Sequence, residues 1–505
     1  MEQGEENLER LLKWATEIGV SDSAISQQGS SLSCLGQSLS ISYFPDAGGR
    51  GLGAARDIRR GELILKVPKS ALMTRASLLK DERLSVAIQG HSSLSPIQIL
   101  TVGLLYEMEK GRSSWWSPYL MNLPHSYDIL ATFGEFEKQA LQVDDAIWAA
   151  EKAILKAELD WKEANALMKE LNLKHRLQTF RAWLWASATI SSRTMHIPWD
   201  EAGCLCPVGD LFNYAAPGEE PSSFEDLELQ AHASSFQATS SLHGDTTFML
   251  DIEQLDACSE RLTDGCFVED IAAYCFYARK NYKKGEQVLL CYGTYTNLEL
   301  LEHYGFSLDE NPNEKVFIPL EPELNSYNSW SKESMYIHLS GKPSFALLCA
   351  LRLWATRPNQ RRSVAQFAYS GCQLSAENEI FVMRWISDKC NVVLKSLPTS
   401  FGEDCLILDA IAKMQGLHDP LELKNLLASS TGQLRSFVEV NGLQNGEGGA
   451  KLRSSWKVKQ TMERWRLAVQ WRVNYKKILV NCITHCAEIT DSLSCQKKSP
   501  ELNIA

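Results

Sequence analysis

The stretch GEQVLLCYGTYTNLELLEHYGF, residues 285–306, carries more information about this protein than any other part of its sequence. It opens with a glycine turn and continues as the apolar segment QVLLC, which is typical of a strand, before a short helical pattern. Tyr292 and Tyr304 are each followed by glycine in this stretch. Either Tyr-Gly pair alone is more typical of a core aromatic residue beside a turn than of a functional site.

A second motif, RGLGAARDI, lies at residues 50–58 directly after Gly49. Gly49, Gly51 and Gly53 suggest a dinucleotide-binding loop. That interpretation fails, because the sixth position counted from Gly51 is Arg56 and the strand-like segment ELILKV follows instead of a helix. We therefore predict a plain glycine turn, or else a bare stretch of backbone that a ligand approaches closely.

A third motif, PVGDLFNYA at residues 207–215, places Asp210 and Asn213 beside apolar residues, and alone it is equally typical of a turn. Zinc-type spacing is missing from this sequence. The pair Cys204 and Cys206, and Cys482 with His485, lack the paired ligand spacing of a structural zinc site, so no metal is expected.

Length and composition limit the class of protein. The chain has 505 residues, of which 44% are hydrophobic and 22% charged, as expected for an ordinary globular protein of two or three domains. Its net charge of −11 argues against a surface devoted to nucleic acid. No apolar run is long enough for a membrane helix, so no membrane partner is expected. The acidic start MEQGEENLER is unlike a signal or transit peptide, which favours a cytoplasmic or nuclear location over the chloroplast.

The hydrophobic pattern changes along the chain and predicts an α+β fold. A β-rich domain contains two insertions, one helical and one a polar stretch rich in Ser, Glu and Gly that we predict to be a mobile surface insertion. Within the helical insertion, one helix is expected over 135–172. The predicted regions are an N-terminal helical segment (1–38), the β-rich domain (39–306) with its helical insertion (about 80–195) and polar insertion (about 216–246), a helical domain (315–492) and a tail (493–505).

Together and in this order, the motifs resemble the SET-domain methyltransferases of the Rubisco large-subunit methyltransferase class, and among these the plant SET-domain-group proteins. The resemblance covers about residues 5–320, and the helical remainder fits by position and pattern only. It implies a SET β-fold split by a helical insertion and followed by an all-helical substrate-binding domain. The matching segments are RGLGAARDIRRGELILKVP (50–68), SSWWSPYLMNLP (113–124), ISSRTM (190–195), GDLFNYA (209–215) and the 285–306 stretch.

The resemblance implies methyl transfer from S-adenosylmethionine (SAM) to a protein amine, with Tyr292 and Tyr304 as the catalytic tyrosines. In-line displacement needs alignment but no metal. The target lysine must be neutral, and an aromatic channel beside a cationic sulfonium disfavours the ammonium form. By the pattern of this class, the SAM-binding residues are Gly51, Leu52, Gly53, Ser192, Arg193, Asp210, Asn213, Tyr214 and Tyr292.

One departure from the class pattern keeps alternatives open. The class usually has Asn-His where this chain has Asn213-Tyr214, so a catalytically weak or inactive SET-fold binding scaffold is one alternative. A protein-histidine methyltransferase is another, although Tyr304 favours lysine. No cysteine triplet follows Tyr304, which favours a non-histone protein substrate over a histone.

Residues 451–477 are strongly basic, with nine Lys or Arg against the single acid Glu463. An acidic protein substrate docking on such a helix is one interpretation, and nucleic acid is a less favoured one. The other interpretation is a solvated face whose opposite side is buried at helical spacing. That side would consist of Val458, Met462, Trp465 and Val469.

Overall fold

The computed structural model describes residues 2–23, 33–44, 49–216, 263–322, 324, 330–416, 432–443 and 455–496. It confirms the predicted α+β fold, with a strand-rich part and a helical C-terminal region. Most of the predicted polar insertion (217–246), residues 451–454 of the basic segment and residues 497–505 of the tail lie outside the described residues. No described helix is both long enough and apolar enough to cross a membrane.

The strands and helices are numbered here in chain order. The strands are β1 (Leu39–Phe44), β2 (Gly49–Ala54), β3 (Leu63–Pro68), β4 (Thr194–Ile197), β5 (Asp200–Leu205), β6 (Asn213–Tyr214), β7 (Thr263–Val268), β8 (Ala273–Ala278), β9 (Leu289–Leu290), β10 (Lys315–Val316) and β11 (Ile337–His338). The helices are α1 (Glu2–Glu17), α2 (Arg75–Leu78), α3 (Glu82–Gln89), α4 (Pro96–Lys110), α5 (Ser117–Leu120), α6 (Glu135–Leu141), α7 (Asp144–Glu170), α8 (Phe180–Arg193), α9 (Asn297–His303), α10 (Phe345–Trp354), α11 (Arg361–Tyr369), α12 (Ala376–Ser396), α13 (Phe401–Gly416), α14 (Gly432–Val440) and α15 (Trp456–Gln496).

The main sheet has the strand order β3-β8-β7-β9-β6. Strands β3, β8 and β7 are antiparallel neighbours, whereas β9 runs parallel to both β7 and β6. The pairing of β6 with β9 joins two sequence motifs, because Asn213 lies opposite Leu289 and Tyr214 opposite Leu290. The sheet therefore brings the 207–215 motif beside the 285–306 stretch.

The glycine motif is a strand and not the turn that the sequence predicted. Strand β2 pairs antiparallel with β1 along its whole length, from Leu39 opposite Ala54 to Phe44 opposite Gly49. Its other side hydrogen-bonds to the 285–306 stretch, where Val288 N donates to Leu52 O at 2.9 Å. Small residues suit this position because β2 is approached closely by a second segment, which the glycine pattern alone does not reveal.

The helical insertion forms largely as predicted. Helix α4 begins at Pro96 behind Ser95, whose hydroxyl accepts from Gln98 N while Gln98 Oε1 accepts from Ser95 N, and it ends at Gly111 with φ 58°. The single helix expected over 135–172 is wrong. Gln142 has φ 64°, which ends α6 and allows α7 to begin in a new direction.

The helical C-terminal region packs on the insertion through a buried charge network. Asp404 on α13 accepts from Arg472 at 2.7 Å and from Lys476 at 2.5 Å, and all three side chains are fully buried. Arg472 also donates to Ala140 O, and Lys476 donates to Gln142 Oε1 at 3.0 Å. One carboxylate therefore holds two cations of α15 against the end of α6.

Most of the described basic side chains of residues 451–477 are buried or form ion pairs. The expected apolar side of α15 is buried as predicted, and Arg472 and Lys476 are buried with it. Arg464 pairs with Asp128 at 2.8 Å, and Arg466 pairs with Glu463 at 2.5 Å. Among the described cations of 451–477, the lysines that stay exposed are Lys457, Lys459 and Lys477.

Replacing Asp404 by alanine should strongly destabilise the protein, because it leaves two buried cations without a counter-charge. We expect the free energy of unfolding to fall by about 3–5 kcal/mol. The control is Asp409→Ala on the same helix, which removes an exposed pair with Lys413 and should cost less than about 1 kcal/mol. Denaturant unfolding followed by tryptophan fluorescence measures both. Equal losses in the two variants would contradict the structural role of the network.

Candidate active site

The site begins at the close approach of β2 to the 207–215 motif. A Cβ atom built on Gly51 would lie 2.5 Å from Asn213 Nδ2 and 3.2 Å from Gln287 Nε2. Any side chain at Gly51 would therefore displace Asn213. The bare backbone of the second interpretation is present here, and the groups that approach it are the side chains of Asn213 and Gln287.

Two buried amide groups face this glycine without protein partners. Asn213 Nδ2 and Gln287 Nε2 are both buried, and neither has a hydrogen-bond partner in the described part of the chain. Leaving a buried donor unsatisfied costs about 1–3 kcal/mol. We call Gly51 together with the Asn213 and Gln287 amide groups the cradle. Two unsatisfied donors beside bare backbone are the arrangement expected where a polar ligand supplies the missing acceptors.

A buried ion pair lies next to the cradle. Arg193 Nη1, at the end of α8, donates to Asp210 Oδ2 at 3.0 Å and to Asp210 O at 3.1 Å. Tyr119 donates its hydroxyl to the same carboxylate oxygen at 2.8 Å, and Arg193 Nε donates to Tyr127 OH at 3.3 Å. Burial, reinforced by the negative charge of Asp210, holds the pKa of Tyr119 well above its usual value, so this hydroxyl stays a donor.

The charges here do not balance, since Arg50 adds a second guanidinium. It donates to Asn122 O at 3.2 Å. The pKa of Arg50 is lowered mainly by burial and further by the positive charge of Arg193, while the carboxylate of Asp210 opposes this shift. With Asp210 as the nearby carboxylate, two arginines leave an excess of positive charge that suits an anionic group of a ligand.

A cluster of aromatic rings adjoins the cradle. The ring centroid of Tyr292 lies 5.3 Å from that of Tyr214 and 5.3 Å from that of Tyr304. Phe306 lies 5.8 Å from Tyr214 and 6.0 Å from Tyr304, and Tyr295 lies 5.4 Å from Tyr304. The β6–β9 pairing and the short helix α9 therefore bring the two Tyr-Gly pairs of the sequence into one aromatic cluster.

Hydrogen bonds fix two of these rings. Tyr292 donates its hydroxyl to Phe212 O, and Tyr214 donates to Gly293 O at 2.9 Å. Burial is the main reason that the pKa of Tyr292 is raised; Arg193 opposes the shift and Asp210 adds to it. Tyr292 therefore remains a neutral phenol at neutral pH, which can donate a hydrogen bond but cannot act as a base.

Three predicted site residues contribute less than the others. Ser192 donates its hydroxyl to Ala188 O at 2.7 Å, a bond within its own helix. The Leu52 side chain is fully buried in the core, so only its backbone faces the 285–306 stretch. Gly53 pairs with Gln287 through its backbone. Of the predicted residues, those whose side chains meet at the site are Arg193, Asp210, Asn213, Tyr214, Tyr292 and Tyr304.

The position of Tyr304 depends on the start of α9. Asn297 donates its side-chain NH₂ to Leu308 O at 2.9 Å and accepts from Leu308 N at 2.9 Å. Its backbone N–H donates to Glu314 Oε2 at 3.0 Å. Burial raises the pKa of Glu314 to about 7.

In the described part of the chain, no three His, Cys, Asp or Glu side chains converge on a possible metal position.

Comparison with known families agrees with this geometry. Residues 49–293 match the SET domain, and residues 299–479 match the Rubisco LSMT substrate-binding domain. Protein SET DOMAIN GROUP 40 of Arabidopsis thaliana is 53% identical over 498 residues, covering 98% of each chain. The chain belongs to the SET-domain methyltransferase family, in its Rubisco LSMT class.

More distant members of this SET-domain family share the fold at low identity. The structure matches the SET domain of LSMT bound to lysine and AdoHcy with a TM-score of 0.54, at 17% identity over 99% of this chain and 97% of that one. Rubisco LSMT bound to AdoMet matches with a TM-score of 0.51. The human actin-histidine N-methyltransferase is 23% identical over 79% of this chain and 62% of the relative.

Sequence reasoning missed four members of the site in this SET protein. Arg50, Tyr119 and Gln287 lie inside motifs that were recognised, but no role was given to them. Phe306 ends the same stretch as Tyr304. Their motif positions were the available signal. The sequence could not predict that Tyr119 bonds to the carboxylate of Asp210, 91 residues further along the chain, because only the fold brings the two together.

Glu314, which accepts a hydrogen bond from the first backbone N–H of α9, should make the stability of the protein depend on pH. Because the pKa of Glu314 rises from 4.5 to about 7 on folding, its stabilising contribution is complete below pH 4.5 and is lost as the pH rises through 7. At pH 8 the free energy of unfolding of Glu314→Gln should therefore exceed that of the wild type by about 3 kcal/mol, with a higher melting temperature, whereas at pH 4.5 the two proteins should melt at nearly the same temperature. The exposed Glu310→Gln is the control. The same melting difference at both pH values would rule out this titration.

Proposed function

We propose that this chain is a SAM-dependent protein-lysine N-methyltransferase that acts on a non-histone protein. The observation that carries the proposal is the contact between an unsatisfied polar cradle and an aromatic cluster, Asn213 beside Gly51 on one side and Tyr292 with Tyr304 on the other. The solved LSMT structures of this fold are bound to AdoMet, to AdoHcy with lysine, and to monomethyllysine. Those ligands have the chemistry that the two halves of this site require.

The cradle residues fit the amino-acid end of SAM. Arg50 and Arg193 offer guanidinium groups to its carboxylate, since Asp210 compensates only one of them. The Asn213 side chain has a carbonyl oxygen for the ammonium group and an unused N–H for an acceptor. The bare backbone at Gly51 gives the space. When bound, SAM would supply a sulfonium methyl group whose carbon a neutral amine would attack in line, so that the C–N bond forms as the C–S bond breaks and the thioether leaves.

The aromatic cluster fits the target amine. Tyr292 is held by Phe212 O and stays neutral, so it orients the amine and does not remove its proton. Phenol faces stabilise positive charge while it moves from sulfonium to the methylated amine. A lysine in such a dry channel loses its proton more easily, because burial and a nearby sulfonium both disfavour the ammonium form.

Binding of SAM tests the cradle directly. Asn213→Ala should weaken SAM binding by a factor of about 5 to 150, the value of about 1–3 kcal/mol of lost hydrogen bonds. Isothermal calorimetry with the full chain measures the affinity. The control, Asn391→Ala, removes an amide that bonds only within α12 and should leave SAM affinity unchanged. A wild type that binds no SAM would refute the proposed enzyme.

The scaffold alternative rests on Tyr214. Its ring packs on Tyr292 and Phe306, and its hydroxyl is bonded to Gly293 O, in the place where the class usually has histidine. If this bulkier side chain closes the site, the chain holds a partner without transferring a methyl group. The histidine alternative rests on the actin-histidine N-methyltransferases, at 23–24% identity.

Tyr292→Phe separates these alternatives. Removing one oriented hydroxyl should lower the rate of methyl transfer by about 100-fold or more, while SAM affinity stays within about threefold. The rate is measured as transfer of label from radiolabelled SAM to a hypomethylated protein extract. Hydrolysis of the labelled protein to amino acids then shows whether methyl-lysine or methyl-histidine forms. Tyr43→Phe, on a largely exposed ring, is the control. Unchanged biological activity in the Tyr292 variant favours the scaffold.

The C-terminal helical region is the proposed docking surface for the protein substrate, because it matches the Rubisco LSMT substrate-binding domain. Three exposed lysines of α15, namely Lys457, Lys459 and Lys477, keep part of the basic character that the sequence predicted there. The cytoplasmic or nuclear location remains a proposal based on the N-terminal sequence.

A further inference from the structure

A long groove lies on the helical insertion, outside the aromatic cluster. It consists of three adjoining cavities of about 430, 800 and 1260 Å³. The first two share Arg112, Ser117 and Met121, and the second and third share His125, Arg181 and Trp185. The shared linings make one continuous surface, which we call the insertion groove.

The middle of the insertion groove is positively charged. Arg112, Arg176 and Arg181 line it with exposed side chains, and no Asp or Glu is among the described residues that line this cavity. The end cavities do include acids, Glu17 in the first and Glu135, Glu137 and Glu439 in the third, so the middle cavity is where the acids of a partner would bind. None of the three guanidinium groups has a carboxylate within 4 Å in the described part of the chain. For a protein with a net charge of −11, this is a local reversal of sign that attracts an acidic partner.

Apolar side chains alternate with these cations. Trp115, in the first cavity, is 45% exposed, and Met121, at the first junction, is 38% exposed. At the second junction, Trp185 lines both cavities, and Arg181 lies 4.6 Å over the ring of Trp456. Exposed tryptophan and methionine beside arginine are enriched at protein interfaces.

The walls of the groove are held by internal bonds. Asn122 Nδ2 donates to Asn7 O at 2.8 Å, which ties α1 to the 113–124 segment. Trp185 Nε1 donates to Pro124 O at 2.8 Å. A surface that is ordered before binding loses less entropy when a partner docks.

We infer that the insertion groove docks an extended acidic segment of the protein substrate, with bulky apolar side chains between its acids. The three cavities together exceed the roughly 300–1,000 Å³ of a small-molecule site, so an extended chain fits them better. The third cavity is lined by α14 and α15, which belong to the substrate-binding match, so the groove is continuous with that domain. This inference rests on the proposed function, since it names the chemistry of the substrate.

The test uses the full chain and two fluorescein-labelled peptides of about twelve residues, a length that spans about 40 Å when extended. One peptide alternates Asp or Glu with Trp or Leu, and the other replaces the acids with Asn and Gln. Fluorescence anisotropy should show the acidic peptide binding at least about tenfold more tightly than the amide peptide, and less tightly at high salt.

The Arg112→Glu/Arg176→Glu double variant should weaken binding of the acidic peptide by at least about tenfold. The matched control is Arg362→Glu/Arg384→Glu, which makes the same change in net charge at exposed arginines of α11 and α12. Equal weakening in both double variants, no preference for the acidic peptide, or no binding by the wild type would overturn the inference. Tighter binding of a single-stranded oligonucleotide than of the acidic peptide would also overturn it.

Calorimetry with SAM on the same variants keeps this inference separate from the proposed function. The groove variants should bind SAM as the wild type does, because none of the altered residues lies in the cradle. If the wild type binds the acidic peptide as expected but binds no SAM, the methyltransferase proposal fails while the docking groove stands. If it binds SAM and not the peptide, the groove fails alone.

Discussion

The ion pair between Arg193 and Asp210 is the interaction on which the site depends. Arg193 ends the helical insertion, and Asp210 opens the segment that leads to Asn213. Their contact, reinforced by the hydroxyl of Tyr119, places the insertion, the cradle and the aromatic cluster at fixed positions. Removing one member of a buried pair is costly because the other charge is left without compensation. The same pair also sets the charge that the cradle offers to a ligand.

A second buried charge network has a purely structural role. Asp404 compensates Arg472 and Lys476 where the C-terminal region meets α6. The two networks use the same chemistry but differ in one respect. Asp404 faces two cations, and Gln433 Oε1 and Thr399 O accept further bonds from them, although Arg472 Nε and Gln142 Nε2 have no partner among the described residues. The cradle differs because its two unpaired donors, those of Asn213 and Gln287, lie against the bare backbone of Gly51, where a ligand can supply acceptors.

Particular residues show how far sequence reasoning reached. The order of motifs predicted the SET fold, the split by a helical insertion and the residues that meet at the cradle, because each motif is a local pattern of turns and apolar runs. It failed for the glycines of β2, whose strand conformation depends on two neighbouring segments. It also failed at Gln142, where a single positive φ divides one predicted helix into two.

The sequence by itself determined the family and the fold class, because both follow from the order and spacing of short motifs, and it proposed the cofactor-binding and catalytic residues. Only the tertiary structure decided which charges are free. Arg464, Arg472 and Lys476 belong to one basic pattern in the sequence, yet each pairs with a carboxylate of a segment far away along the chain. Arg112 and Arg181 meet none among the described residues and line a groove instead. The reason is that ion pairing depends on distance in space, which the spacing of residues along the chain does not specify.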